Sequence, residues 1–263
     1  MRTVLIAMAC WTFCSDLNTA WAEEKWGGIK GQVIVTGAVP AQPALVKQGD
    51  TAARDSSVCA AQAIPDESIV VDPQSNGLAN VAIWLAQKPA KIHPDLEESK
   101  NNTVEFDAKG CRYVPHVLIV QTDQQVRIKS ADELSHNLDV KHIRGTPDSL
   151  VQYPSSPDGY LYPRLKYAEK IPVKVFCDIH PWMTAYWVIV DHPYAAVSNT
   201  MGEFELANLP VGEHEIKVWH EKIGWVERSR VVTVKTGDNT LPPFKIEAAA
   251  FGKLQEQSKR ETK

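Results

Sequence analysis

The chain has 263 residues, of which 44% are hydrophobic and 23% are charged. This length and composition are typical of one large or two small globular domains with a buried core, and they argue against a disordered chain. The formal net charge of −4 gives the chain no overall basic field and argues against nucleic acid as a partner.

The first 22 residues have the pattern of a secretory signal peptide. Arg2 supplies a positive start, residues 3–14 are mostly apolar, and residues 20–22 (AWA) offer small residues at the cleavage positions. The apolar stretch is too short for a membrane span, which requires about 20 apolar residues, and no other segment approaches that length. We therefore expect a periplasmic or secreted protein without a membrane span. A lipid anchor at Cys10 is the alternative, disfavoured because few apolar residues precede it.

Short β-branched and aromatic runs, separated by Gly, Pro, Asn and Asp, recur along the chain and predict an all-β protein built from sandwiches. The predicted strands are 29–36, 68–71, 79–86, 103–106, 116–121, 125–130, 137–140, 171–177, 184–191, 203–206, 214–220, 229–235 and 243–247. Weak helical character is confined to 49–62 and to 248–260. Residues 144–163, which are rich in Pro and Gly, are predicted to form a long loop.

The number of cysteines indicates that one thiol has a separate role. Loss of the signal peptide leaves Cys59, Cys111 and Cys177, which is an odd number. In an oxidising compartment two of them are expected to pair, and the third is left for an intermolecular bridge or for chemistry.

The segment 177–183, with the sequence CDIHPWM, directly follows a predicted strand. It places a thiolate, an imidazole and a thioether at positions i, i+3 and i+6, where a tight loop can turn all three toward one point. Soft sulfur suits Cu(I), imidazole suits both copper oxidation states, and a second imidazole is available upstream at His136. The two segments together predict a copper site.

These motifs resemble those of the cupredoxins, and the Cys-x-x-His-Pro-x-Met loop is similar in spacing to that of amicyanin. The resemblance covers residues 114–191 and implies a Greek-key β-sandwich with one type 1 copper. It also implies that the backbone of Asn137 helps to hold the thiolate. Asp178 departs from the family, which commonly has a small hydroxyl residue there. The metal ligands implied by the resemblance are His136, Cys177, His180 and Met183.

With Cys177 assigned to the metal, Cys59 and Cys111 become the natural disulfide. The resemblance further implies that Pro181 and Trp182 form a docking surface through which electrons leave. The alternatives are a tryptophan packed in a core or between domains, and a Met183 that only fills the core. Four further imidazoles are expected to be structural, with a second metal site as the alternative: His116, His142, His192 and His220.

Residues 198–221 resemble the small transthyretin-like sandwiches called carboxypeptidase regulatory-like domains. The patterns at 110–116, 192–194 and 219–221 also resemble secreted bacterial proteins labelled methylamine-utilisation-like. The predicted divisions are a signal peptide (1–22), an N-terminal β extension packed on the cupredoxin core (23–100), a cupredoxin domain (101–192), a smaller β-sandwich (193–248) and a charged tail (249–263).

The predicted function is one-electron transfer by copper, with an extracytoplasmic redox protein or enzyme as the partner. Copper sequestration or delivery is an alternative, weakened because exchange favours Met- or His-rich sites and only Met183 and Met201 follow the signal peptide. An enzyme is not expected, because the chain has neither a His-x-His pair nor the Cys-x-x-Cys-His motif of haem c. A last alternative is that the smaller sandwich binds carbohydrate or peptidoglycan and that the copper domain assists it.

Overall fold

The computed structural model describes residues 25–39, 41–99, 101–144 and 148–251. The predicted signal peptide and most of the predicted charged tail lie outside the described residues. Within the described ranges, no helix is long and apolar enough to cross a membrane.

The described residues form seventeen strands and two single helical turns between strands, α1 (Ser56–Cys59) and a 3-10 turn (Pro94–Leu96), which confirms the all-β prediction. The strands are β1 (Trp26–Thr36), β2 (Ala82–Leu85), β3 (Thr103–Ala108), β4 (Tyr113–Val114), β5 (Val117–Gln121), β6 (Gln125–Ser130), β7 (His136–Val140), β8 (Asp148–Gln152), β9 (Ser156–Leu161), β10 (Val173–Phe176), β11 (Thr184–Val190), β12 (Ala195–Val197), β13 (Glu203–Pro210), β14 (Gly212–His220), β15 (Gly224–Val234), β16 (Gly237–Thr240) and β17 (Phe244–Glu247).

The first sandwich packs two sheets, ordered β5-β11-β10-β7-β8 and β4-β3-β6-β9, around one hydrophobic core. In β6 and β10 alternating residues point into this core, as expected for strands with one buried face. Its centre is Trp187, whose ring meets Phe106 and Tyr162 edge to face at centroid distances of 5.3 and 5.2 Å. This arrangement gives the strands that carry the predicted ligands a rigid support.

The predicted loop 144–163 is wrong, because this segment forms β8 and β9. β8 pairs with β7, while β9 is an edge strand that pairs with β6. An edge position tolerates Pro157, because an edge strand pairs with a neighbour on one side only. Gly159 has a φ of 60°, and a Cβ there would lie 2.0 Å from the Ile128 carbonyl oxygen, so a glycine is required for this close pairing.

The second sandwich combines the start and the end of the described chain. β1 pairs with β13, β16 and β17, and the facing sheet has the order β12-β2-β14-β15. The predicted N-terminal extension, 23–100, is therefore divided: β1 and β2 belong to this second core, whereas the segment around Val46 to Ile64 packs on the first. The alternation of apolar residues predicts that β1 is a strand, but it does not specify which strands pair with it.

The two sandwiches are joined through apolar side chains on the outer faces of β2 and β14 and of β5 and β11. Trp84 and Trp219 lie in this contact together with Val117 and Val188. The junction places the start of β5 and the end of β14 beside the loop 177–183, which carries the predicted ligands.

Candidate metal centre

Two neighbouring strands and the loop after one of them bring three predicted ligands together. β7 and β10 are antiparallel partners, so His136 at the start of β7 lies near Cys177, which directly follows β10. His180 comes from the loop between β10 and β11. The donor atoms of these three side chains all lie within 4.8 Å of one another, and each side chain is fully buried.

The distances fit a trigonal metal site. The two Nδ1 atoms of His136 and His180 are 3.1 Å apart, and Nδ1 of His180 is 3.8 Å from Sγ of Cys177. With the bond lengths of zinc as a guide, a trigonal site separates two nitrogens by roughly 3.5 Å and a nitrogen from a sulfur by roughly 3.7 Å. Two imidazoles and one thiolate are also the planar donor set of blue-copper sites. The residues present therefore fit a copper ion.

The ligand loop is closed by its own backbone. The Cys177 amide donates to the Met183 carbonyl at 3.2 Å, and the Met183 amide donates to the His180 carbonyl at 2.8 Å. Met183 is 1% exposed and belongs to the core of the first sandwich. Its role as an axial ligand stays a prediction.

Asn137 ties β7 to the start of this loop. Its backbone N–H lies 3.5 Å from Sγ of Cys177, and its side-chain oxygen accepts from the Asp178 amide at 2.7 Å. Its side-chain nitrogen donates to the Asp178 carboxylate at 3.0 Å. Asp178, the departure from the family pattern, therefore helps to hold Asn137 against the thiol.

The Cys177 side chain is prepared to ionise. Burial acts to raise the pKa of this thiol, but hydrogen bonds from His136, His180 and the Asn137 backbone outweigh burial and lower the pKa to about 6. The thiolate is the form that binds metals. The surroundings of Cys177 therefore favour the form of the side chain that binds a metal.

Two carboxylates that were not predicted from the sequence complete the site. Nε2 of His136 lies 2.9 Å from the Asp132 carboxylate, and Nε2 of His180 lies 2.9 Å from the Asp55 carboxylate. Burial acts to raise the pKa of Asp132, but hydrogen bonds from His136 and two backbone amides lower it overall. Asp132 lies four residues before His136, a signal that could have been used. Asp55 is 125 residues from His180, and no local pattern indicates the contact.

Cys59 and Cys111 form the predicted disulfide, and Cys177 is the free cysteine among the described residues. The Trp182 indole N–H donates to the Cys111 carbonyl at 3.2 Å, and its ring centroid is 5.3 Å from that of His180. Trp182 is half-buried and Pro181 is exposed. Both residues line a cleft of about 220 Å³ at the junction of the sandwiches. Their role in docking stays a prediction.

The four further imidazoles have separate surroundings. His116 pairs with Glu221, Nε2 of His142 lies 2.9 Å from the Tyr162 hydroxyl, and Nε2 of His192 lies 3.1 Å from the Leu85 carbonyl. In the described ranges, the cluster of His136, Cys177 and His180 is the one group of three or more His, Cys, Asp or Glu side chains placed to share a metal.

His220 is expected to make the protein less stable in acid. Burial lowers its pKa to about 4, and its Nε2 has no hydrogen-bond partner among the described residues. In the unfolded chain the imidazole takes up a proton near pH 6.5, so this residue disfavours folding increasingly as the pH falls from 6.5 toward 4. When the pH is lowered from 7 to 5, the free energy of unfolding of His220→Asn should therefore fall by about 2 kcal/mol less than that of the wild type.

Urea unfolding at both pH values measures this difference. Asparagine is chosen because its side-chain oxygen can replace Nδ1 of His220 as the acceptor for the Lys222 amide. His214→Asn is the matched control, since His214 is only partly buried. Equal losses on acidification in the wild type and in His220→Asn would contradict the prediction.

No protein-family model matches the chain, and no curated protein matches it. Among solved structures, it is similar to amicyanin from Paracoccus versutus, with 17% identity, a TM-score of 0.28, and coverage of 41% of this chain and 96% of that one. A purple cupredoxin from Nitrosopumilus maritimus matches with 17% identity, a TM-score of 0.25, and coverage of 32% and 97%. A Cu-containing nitrite reductase from Thermus scotoductus matches with 20% identity, a TM-score of 0.27, and coverage of 39% and 25%.

Proposed function

We propose that the chain holds one type 1 copper ion and serves as an electron carrier rather than an enzyme. The ligands in this proposal are His136, Cys177 and His180, with Met183 as the axial ligand. The observation that carries it is the buried cluster of two imidazole nitrogens and one sulfur, with donor atoms within 4.8 Å of one another. This is a donor set that accepts both Cu(II) and Cu(I).

The residues of the chain would keep the site the same in both oxidation states. Copper, when bound, would supply the one-electron step by alternating between Cu(II) and Cu(I). β7 and β10 hold His136 and Cys177 in one sheet, and Asn137 fixes the thiolate from the side. A scaffold that moves little as the charge changes keeps the reorganisation small, which favours fast electron transfer.

The burial of the site favours electron transfer over copper delivery. The side chains of His136, Cys177 and His180 are fully buried, and Asp55 and Trp182 pack against His180. A delivery site has to open for exchange with another protein, whereas an electron can tunnel through a covered ligand. Delivery therefore remains the second candidate.

We propose that the protein works outside the cytoplasm and exchanges electrons with a redox protein or enzyme there. The disulfide between Cys59 and Cys111 supports an oxidising compartment. The exposed Pro181 and the half-buried Trp182, whose ring lies beside His180, are the proposed docking surface.

Adding Cu(II) to the purified protein tests the proposed function. We expect an intense visible thiolate-to-copper absorption band and a narrow hyperfine splitting in the EPR spectrum. Repeated reduction and oxidation without loss of copper would distinguish electron transfer from delivery. A colourless protein would contradict the proposal.

Met183→Leu is expected to keep the copper and to raise its reduction potential. The thioether is a weak axial donor, and its loss disfavours the more positive oxidation state. Leucine has a similar volume, so the cost in stability should stay below about 1.5 kcal/mol. Voltammetry measures the potential, and Met201→Leu is the matched control because Met201 is 47% exposed. If Met183 only fills the core, both variants will have the wild-type potential.

A further inference from the structure

Each imidazole of the metal cluster has a carboxylate on its far side. The Nδ1 atoms of His136 and His180 face one another, so both Nε2 atoms point away from the cluster. Nε2 of His136 meets Asp132 at 2.9 Å, and Nε2 of His180 meets Asp55 at 2.9 Å. An imidazole that donates its Nε2 proton to a carboxylate keeps the Nδ1 lone pair free for a metal.

Asp132 is built into the interior of the first sandwich. The residue is 6% exposed, and its carboxylate also accepts the backbone amides of Gly110 at 2.6 Å and Cys111 at 2.9 Å. Three donors therefore hold this carboxylate in one orientation. That orientation in turn fixes the ring of His136.

Asp55 comes from outside the two sheets. It precedes the single helical turn α1, has a left-handed φ of 50°, and its side chain is 47% exposed. The helical turn ends at Cys59, whose disulfide to Cys111 fastens this segment to the sandwich. Asp55 thereby covers the side of the His180 ring that points away from the cluster.

Cys111 connects the two carboxylates. Its amide donates to Asp132, its sulfur is bonded to the segment that carries Asp55, and its carbonyl accepts the indole N–H of Trp182. The surroundings of both imidazoles therefore depend on one residue. A displacement of this residue would affect both rings together.

We propose that Asp55 and Asp132 are positioning residues that orient both imidazoles toward the copper and stabilise its oxidised form. This inference rests on the proposed copper site. A carboxylate that accepts the Nε2 proton makes the imidazole a stronger donor, and its negative charge favours the more positive ion. Both effects strengthen Cu(II) binding more than Cu(I) binding.

Asp55→Asn and Asp132→Asn test the proposal. Asparagine retains an oxygen that can accept the Nε2 proton but removes the charge, and it tolerates the left-handed backbone at Asp55. In Asp55→Asn we expect Cu(II) affinity to fall about tenfold relative to Cu(I) affinity, which raises the one-electron potential by about 59 mV. Loss of Cu(II) to EDTA should be about tenfold faster. Asp158→Asn is the matched control, since Asp158 is exposed on β9 and undergoes the same change in charge.

The outcomes separate the two proposals. A blue wild type with a raised potential in Asp55→Asn supports the positioning role, because a purely structural role would leave the potential of this variant unchanged. A blue wild type in which Asp55→Asn has the same potential as Asp158→Asn overturns the positioning role and leaves the copper site standing. A colourless wild type overturns both. Asp55→Asn alone decides the result if Asp132→Asn does not fold, because Asp55 is half-exposed.

Discussion

Cys177→Ser is expected to abolish the visible thiolate-to-copper band. A serine hydroxyl does not ionise near neutral pH, and oxygen does not replace the soft, polarisable sulfur that gives this absorption. Loss of a residue that hydrogen-bonds to a metal ligand typically weakens metal binding by roughly 10–100-fold. Loss of the ligand itself should weaken Cu(II) binding by more than this. Absorption and EPR titrations with Cu(II), on the wild type and the variant side by side, measure both effects.

The copper-free form of Cys177→Ser separates a lost ligand from a lost fold. Serine is close in size to cysteine and can still accept from the backbone N–H of Asn137, so the copper-free variant should unfold near the wild-type denaturant midpoint. The stabilisation by copper should disappear: for the wild type it reaches about 2.7 kcal/mol when free copper is 100 times the dissociation constant. A blue variant, or one stabilised by copper as strongly as the wild type, would contradict the assignment of Cys177.

The parts of the site that sequence reasoning found are those with short-range patterns. The loop 177–183 carries its donors at fixed spacing, and its backbone closes on itself between Cys177 and Met183. His136 was predicted as the second imidazole, upstream of the loop, and the structure supplies the reason for its proximity to Cys177, the antiparallel pairing of β7 with β10. The free Cys177 followed from an odd number of cysteines, because the other two form a disulfide.

Asp132 was missed although it lies only four residues before His136. The other parts that were not predicted depend on distant contacts or on strand partners. Asp55 reaches His180 across 125 residues of sequence, and only the folded position of its disulfide-anchored segment brings the two together. The alternation of apolar residues in β1 specifies which face is buried, but not that the strand pairs with β13 and β17 at the far end of the chain. The Pro and Gly residues of 144–163 predicted a loop where two strands form. Both strands lie at the edge of a sheet, where Pro and Gly are tolerated.

Removal of the disulfide is expected to have the largest effect on stability. The sequence separation between Cys59 and Cys111 is 52 residues, and closing a loop of that length in the unfolded chain corresponds to about 4 kcal/mol. A globular domain is stable by only about 5–15 kcal/mol, so this loss is a large fraction of the total. Urea unfolding of the copper-free Cys59→Ala/Cys111→Ala variant measures it, with copper-free Cys177→Ser as the control that keeps the disulfide.

The same double variant should also hold copper less firmly. Its segment around Asp55 is no longer bonded to the sandwich, so the cover over His180 can open more often, whereas the ligands on β7 and in the loop 177–183 keep their support. We therefore expect the visible band to persist at temperatures at which the protein is folded, while EDTA removes Cu(II) faster than from the wild type. If the double variant is as stable as the wild type, the disulfide does not stabilise the fold by closing the loop. If the double variant loses copper at the wild-type rate, the disulfide does not hold Asp55 over the site.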